Sequence, residues 1–478
     1  MRYRLALLLA LTAVLGLAGG RVSLSDLDAE GWNSYIGQRI TVTDRLIVCG
    51  TFRDSIHLAA ERLYVPEERA LGLADGDSTA YWQHVAYNNS RRITLVCKVP
   101  FWLNLGATLT NLQAYVTGNR KLQTGQQPRF RNYKPAKRLP DLGKPDLTIC
   151  CANIQNYFVH LGGYASKRTT PQQHELQRLK VSSALVRLNA DLYALCELEK
   201  GPSAPAELAA AMNELAGKTR YDYLHTSPTD GDTISVGFIY RSDKIKPFGT
   251  LRFAYTPPDI YAYRFMLQGF EDLNSGERFV VSLNHPRSKR GDAETANALR
   301  MENIAAIMWA IHKAYADSTY SDPDILMLGD YNAYRFEEPL QTIVSMGFRD
   351  MLAQDSLAYS YSYKGECGSL DRVYATPSMA QQITAIHHIH WNTDVYYSAG
   401  FQSKYNFSSH SANTHNTPSQ HSADTNIATS EHSAKTNTAP SPYTSVFNIR
   451  RNITKVAKKN LLFRYSDHDP VLIGIKFK

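Results

Sequence analysis

Hydrophobic and polar positions change their rhythm once along the chain, near residue 146. Before it, the stretches QRITVTDRLIVCG, RRITLVCKVP and ATLTNLQAYVTG are rich in β-branched and apolar residues. Gly, Asn and Asp separate them, which is the pattern of strands joined by turns. A small barrel such as an OB-fold fits residues 21–140, although periodicity alone does not choose between small barrels and sandwiches. Trp82, Trp102 and Tyr115 are expected in its core, and KRLPDLGKP, residues 137–145, reads as a linker. From Leu147 strands alternate with helices. LTICCANIQNYF is a strand expected to end at Asn153, Gln173 to Leu188 has helical apolar spacing, and ADLYALCELEK is a strand ending at Glu197. SVGFIYR, ERFVVSLNHPRSK, ILMLGDYNAY and GSLDRVYA supply further strands, and Asp292 to Tyr315 reads as a long helix. The last strand begins at Pro470, with Val471, Ile473, Ile475 and Phe477 apolar at a period of two. The alternation predicts an α/β domain over residues 146–478.

Two stretches obey neither rhythm. In residues 1–20, Arg2 and Arg4 precede an apolar run from Leu5 to Leu17 and then the small residues Ala18 and Gly20, the signature of a secretory signal peptide. That run is too short to span a membrane comfortably, no cysteine follows it to take a lipid, and no later stretch is apolar enough to anchor the chain. An exported protein, periplasmic or secreted and without integral membrane contact, is expected. Residues 398–445 are Ser, Thr, Asn and His with almost no aliphatics, and carry the near-repeats HSANTHNTPSQ from His410, HSADTNIATSE from His421 and HSAKTNTAPSP from His432. Such a composition cannot bury enough surface to offset ordering, so a disordered insertion is expected, with its histidines as solvated spacers.

Length and charge sharpen this outline. A chain of 478 residues exceeds what one hydrophobic core usually occupies, so two domains follow. A net charge of +8 suits a polyanionic partner. Arg120, Lys121, Arg129, Arg131, Lys134, Lys137 and Arg138 cluster before the second domain, and Arg450, Arg451, Lys455, Lys458 and Lys459 before Asp467. A solvated basic face explains either cluster as well as a nucleic-acid track does. Cys49 and Cys97 sit on two predicted strands and are candidates to pair; Cys150, Cys151 and Cys196 read as buried thiols.

Chemistry gathers at strand ends. Asn153, Glu197, His285, Asp330, Asn332, Asp371, Asp467 and His468 all fall there in the second domain, where a strand aims a side chain better than a free loop does. The ordered set NIQN, CELE, NHPRSK, GDYNAY, SLDRV and YSDHDPV resembles the endonuclease/exonuclease/phosphatase superfamily (DNase I-like). It is most similar to the exported bacterial extracellular nucleases of that superfamily with an OB-like domain in front. The resemblance spans Leu147 to Lys478 strongly and the first domain weakly, and implies a four-layered α/β sandwich behind a small β-barrel-like domain. It further implies Asn153 and Glu197 at a metal, Asp467 as a further ligand or positioning group, and His285 and His468 as catalytic histidines. Asp371 would orient His468, and Asp330 with Asn332 would handle nucleophile and phosphate. Three positions depart from the family pattern: Cys196, Arg372, and Pro286 with Arg287, while Arg287 and Lys289 keep positive charge for substrate beside His285.

A phosphodiester is an anion, so its hydrolysis needs a cation on a nonbridging oxygen, a deprotonated water in line and help for the departing oxygen. Oxygen ligands from Glu197, Asp467 and Asn153 suit a hard ion, Mg2+ before Mn2+ or Ca2+, and the lack of a Cys and His cluster at zinc spacing argues against a zinc hydrolase. His468 backed by Asp371 is expected as general base and His285 as acid or transition-state donor. The expected function is a metal-dependent endonuclease of low sequence specificity, acting as a monomer on DNA in preference to RNA. Its alternatives are a lipid or inositol phosphodiesterase of the same superfamily, and a binding protein with a dead site. Since every catalytic candidate lies beyond Leu147, the first domain is expected to add affinity and not chemistry.

Overall fold

The structure is a computed structural model and describes residues 20–162, 169–225, 233–254, 264–316, 318, 320–395 and 463–478. The expected signal peptide up to residue 19, the repeat insertion and the basic cluster from Arg450 to Lys459 lie outside the described residues. No helix among the described residues is long and apolar enough to cross a membrane.

The N-terminal part runs β1 (Arg21–Val22), α1 (Leu24–Glu30), β2 (Arg39–Val42), β3 (Leu46–Thr51), β4 (Ser55–Ala59), α2 (Thr79–Arg91), β5 (Ile93–Val96), β6 (Thr108–Leu109), β7 (Leu112–Gly118) and β8 (Lys121–Gln123). These strands form one sheet in the order β1-β2-β7-β8-β5-β4-β3-β6. β2 and β3 are successive stretches of one run, as are β6 and β7. Antiparallel pairing of β2 with β7 and of β3 with β6 therefore closes the sheet on itself, with β5 and β8 meeting in parallel. Val42, Leu46, Val48, Ile56, Leu58, Ile93, Leu95, Val116 and Leu122 fill the ring. Trp82 and Trp102, expected inside, stand 62% and 41% exposed, because Trp82 lies on α2 and Trp102 in the turn before β6, outside the ring that the aliphatic side chains fill.

The remainder runs β9 (Leu147–Tyr157), α3 (Pro171–Leu188), β10 (Leu192–Glu199), α4 (Ser203–Ala216), β11 (Tyr221–His225), β12 (Ile234–Arg241), β13 (Ile245–Arg252), β14 (Phe265–Asp272), β15 (Arg278–Asn284), α5 (Ala293–Ala316), β16 (Ile325–Asp330), α6 (Glu338–Ser345), β17 (Arg349–Asp350), β18 (Tyr361–Tyr363), β19 (Glu366–Gly368), β20 (Asp371–Ala375), α7 (Pro377–Ala380), β21 (Ile383–His388) and β22 (Val471–Ile475). Two six-stranded sheets result, β11-β12-β10-β9-β22-β21 and β13-β14-β15-β16-β20-β17. Their inner faces pack on each other: Ile149, Ala194, Phe238 and Ile473 of one share a core with Phe270, Val281, Leu328 and Val373 of the other. Phe238 meets Phe270 edge-on at 5.5 Å across that core. The outer face of the first sheet takes α3 and α4 through Val181, Leu185 and Leu208. The outer face of the second takes α5 and α6 through Ile304, Ile307 and Leu340. The architecture is a four-layered α/β sandwich, as the strand and helix alternation requires. The helices start where local chemistry starts them. Thr170 caps α3 in a reciprocal box with Gln173, Pro171 opens it, and Asn189 closes it in the left-handed conformation.

One expected boundary moves. β9 does not stop at Asn153 but continues to Tyr157, since its pairing with β10 resumes beyond an irregularity. The expected linker packs on the first of these two sheets: Thr384 Oγ1, on β21, donates to the Leu142 carbonyl at 2.5 Å, and just before the linker the Ala136 carbonyl accepts from Trp391 Nε1 at 2.7 Å. All six cysteines are buried free thiols, Cys49 and Cys97 included.

Candidate active site

Backbone conformation aims the first acid. Pairing of β10 with both neighbours shifts register between Cys196 and Leu198, and Glu197 at this bulge takes φ +65°. Opposite it on β9, Gln155 and Asn156 also have positive φ, 59° and 51°. That twist turns the Asn156 N–H onto Glu197 Oε2 at 2.8 Å. Asn153 Nδ2 bridges two carboxylates, donating to Glu197 Oε1 and to Asp330 Oδ2 at 3.0 Å each, while its oxygen accepts the Gln155 N–H at 2.9 Å. Asn153, expected as an oxygen ligand, thus presents donors to the two acids.

Asp330 ends β16, and its Oδ1 accepts the Asn332 N–H at 2.9 Å. Asn332, at φ +51°, donates its side-chain amide to the Pro286 carbonyl at 3.1 Å and so ties the end of β16 to the residue after His285. His285 follows β15 directly. Its Nε2 lies 3.7 Å from Asp330 Oδ2 and 4.0 Å from Glu197 Oε1, and its Nδ1 is buried with no hydrogen-bond partner among the described residues. Asp371 begins β20, the antiparallel neighbour of β16, and therefore pairs directly with Asp330. From there its Oδ2 accepts His468 Nδ1–H at 2.7 Å, and His468 Nε2 comes within 3.8 Å of Asp330 Oδ2.

Asp330 is the hub of this arrangement, with one imidazole on each side. Among the described residues, Glu197, His285 and Asp330 form a group whose ligand atoms all lie within 4.8 Å of one another. Two carboxylate oxygens with one imidazole nitrogen make a donor set that suits a hard divalent cation. Burial, and then the charge of Asp467, push the Glu197 carboxyl up to about 7. The two histidines diverge. Burial, and then the Arg264 guanidinium, push His285 down to about 3, so it is neutral at pH 7. Burial works against the His468 charge as well, but Asp371 and Asp330 outweigh it and hold the imidazolium well above its ordinary range.

The structure thus brings Asn153, Glu197, His285, Asp330, Asn332, Asp371 and His468 to one place. Asp467 borders them through its charge on Glu197. Lys289 does not join them: its Nζ pairs with Glu337 and lies 4.8 Å over the Tyr334 ring. Arg287 is anchored through its backbone N–H to Asn303 Oδ1 at 2.9 Å. Sequence reasoning missed Tyr361, whose ring lies 4.7 Å from that of His468. It sits on the short hairpin β18–β19, which has no strand-length apolar pattern to mark it.

No protein-family model matches the chain, and no curated protein matches it. Solved structures similar to it include endonuclease/exonuclease/phosphatase proteins. One from Bacteroides vulgatus is 13% identical and covers 70% of this chain and 99% of its own, with a TM-score of 0.41. The truncated TDP2 of Caenorhabditis elegans is 12% identical over 69% of this chain and 98% of its own, with a TM-score of 0.38. The mannosyl-6-phosphatase Bt3783 of Bacteroides thetaiotaomicron is 16% identical over 51% of this chain and 87% of its own, with a TM-score of 0.36.

Proposed function

We propose that the chain is an exported, magnesium-dependent phosphodiesterase that cleaves DNA, and to a lesser extent RNA, with low sequence specificity. One observation carries the reading: the Asp330 carboxylate stands between His285 and His468, at 3.7 and 3.8 Å, beside a second carboxylate at Glu197. A divalent cation held by Glu197, Asp330 and His285, with Asp467 at the border, would offset phosphate charge and lower the pKa of a bound water. The chain's own residues do the rest. Asp330, oriented by the Asn332 N–H and by Asn153, takes the proton of the attacking water. His468 was expected as the base, but Asp371 and Asp330 favour its charged form, so it enters the reaction as proton donor to the phosphate or the departing oxygen. Tyr361 packs against its ring and limits its rotation.

Substrate and location rest on surface and sequence. Arg129, Arg131, Lys134, Lys137 and Arg138 are exposed, as a backbone-reading surface requires. The closed N-terminal ring, with its parallel β5–β8 contact and exposed Trp82 and Trp102, supports an OB-like domain that stacks on bases. Residues 1–20 support export. The test is plasmid cleavage by protein lacking residues 1–20, with magnesium and then with chelator. Nicking that needs magnesium supports the reading. Release of phosphate or headgroup from sphingomyelin or inositol phosphates with an intact plasmid would move the substrate to lipids, and no turnover on any of them would leave a binding protein.

A further inference from the structure

We infer that the N-terminal ring is a clamp that sets the geometry of the His468–Asp371 dyad, with Glu68 and Arg62 as its positioning residues; this rests on the phosphodiesterase reading above. Both residues lie between β4 and α2, on a segment that pairs with β19: the Val65 N–H donates to the Cys367 carbonyl at 2.9 Å, and the Cys367 N–H to that of Leu63 at 2.8 Å. Glu68 reaches the turn that leads into β20. Its Oε1 accepts the Ser369 N–H at 2.8 Å, and Arg372 Nη1 lies 3.3 and 3.4 Å from its two oxygens. One carboxylate therefore holds the chain on both sides of Asp371. Ser369 Oγ tightens the turn by donating to the Asp371 carbonyl at 3.0 Å, and Asp350 fixes Arg372 from the other side at 2.7 Å. The side chains of Arg372, Glu68 and Asp350 are 2%, 8% and 9% exposed, so water cannot replace a lost partner.

The second grip is on the histidine. Arg62 forms a two-point pair with Asp394, at 2.9 and 2.7 Å, and the Asp394 side chain is fully buried. Asp394 closes a loop in which Asn392 Nδ2 donates to the His468 carbonyl at 2.6 Å. In the same loop the Asn392 and Thr393 N–H groups hold Asp469 at 2.8 and 3.0 Å. One short segment of the ring thus grips the neighbourhoods of both dyad members, which come from different sheets. Proton transfer depends steeply on the placement of its groups, and a ring that only added affinity would have no need of these desolvated charges. Arg372, one of the three departures from the family pattern, is the residue through which Glu68 acts.

The test uses the full chain on plasmid DNA. Glu68→Gln should lower kcat by about 10-fold or more and leave KM within about 2-fold. In an Asp371→Asn background the same change should cost less than about 2-fold, because the group it positions is already disabled. Proton NMR reads the dyad without activity: the downfield His468 Nδ1–H signal should shift or broaden in Glu68→Gln and stay put in Arg278→Gln, a surface control. Unchanged kcat and signal, or an equal loss in both backgrounds, overturns the clamp. If Glu68→Gln does not fold, Arg62→Lys, which keeps the charge and loses the two-point geometry, is read by the same two measurements and decides in its place. A wild type that cleaves no phosphodiester sinks the functional reading, and the NMR signal then decides the clamp alone.

Discussion

At Gly329 the backbone takes φ +149°, and a Cβ there would lie 1.8 Å from the Asn284 carbonyl oxygen. No side chain fits, so Gly329→Ala must push β15 and β16 apart one residue before Asp330. We expect the purified variant to lose about 100-fold or more in turnover, as a misplacement near 1 Å does, with a lower melting temperature by circular dichroism. Glu197 makes a different prediction. Its folded pKa, about 7, lies above the roughly 4.3 of an unfolded glutamate, so its contribution to stability is fullest below that window and falls as pH rises through it. His285, pushed down to about 3, runs the other way and disfavours the folded state as pH falls from about 6.5. Subtracting a mutant isolates the first effect: in chelator, Glu197→Gln should gain about 3 kcal/mol on wild type between pH 4 and pH 8 in urea unfolding. A difference that stays flat with pH would refute the assigned environment. His468→Ala removes the proton donor, and about 100- to 10,000-fold in turnover should vanish at any magnesium concentration. Of these residues the acids and histidines were legible because strand ends advertise them. The donor role of Asn153 was not, since it follows from the left-handed backbone at Gln155 and Asn156, which no residue type at those positions announces.

Elements were read from periodicity, and periodicity sees what it can. Strands β10, β12, β16 and β22 are buried on both faces and stand out as apolar runs, and α3 and α5 carry their own spacing and lie within two residues of expectation. The bulge between Cys196 and Leu198 is invisible to such a reading, because a shift of register changes no residue, only the face it points to. The hairpin β18–β19 escaped for the opposite reason, being too short to show a period at all. Across the central layer the prediction is mechanical. Phe238 joins the two sheets through Phe270, so Phe238→Ala opens a cavity and should cost about 3–5 kcal/mol. Thermal unfolding would show it, while turnover per folded molecule at low temperature should survive. A loss below about 1 kcal/mol would mean that the layers collapse onto the gap.

For the whole molecule, the sandwich was legible from alternation and the docking of the ring was not. Glu68 and Arg372 are 304 residues apart, a pairing that leaves no local trace beyond an arginine at an unusual position. The proposed clamp and the expectation that the ring adds only affinity make opposite predictions for its removal. Removing residues 21–140 uncovers Tyr334, Tyr359, Cys367 and Leu370, which pack on Tyr64 and Val65, and strips Arg372 and Asp394 of partners. Such a truncation should aggregate or melt at lower temperature than the full chain, as size exclusion and circular dichroism would report. Near the C-terminus, by contrast, a connection is dispensable. β21 and β22 pair directly, and the Arg464 N–H closes the approach to β22 by donating to the Trp391 carbonyl at 2.8 Å. The chain leaves and returns at one fixed base, and loop closure depends only weakly on length, so deleting residues 409–442 should change melting temperature and cleavage little. Carried further, residues 463–478 form a peptide that is held as the strand between β9 and β21 and that brings His468 with it. A protease that nicks the intervening stretch would turn the chain into a two-fragment complex without separating its parts. An active-site histidine supplied in trans would then restore cleavage to a chain ending near residue 395, a complementation assay that the fold makes available.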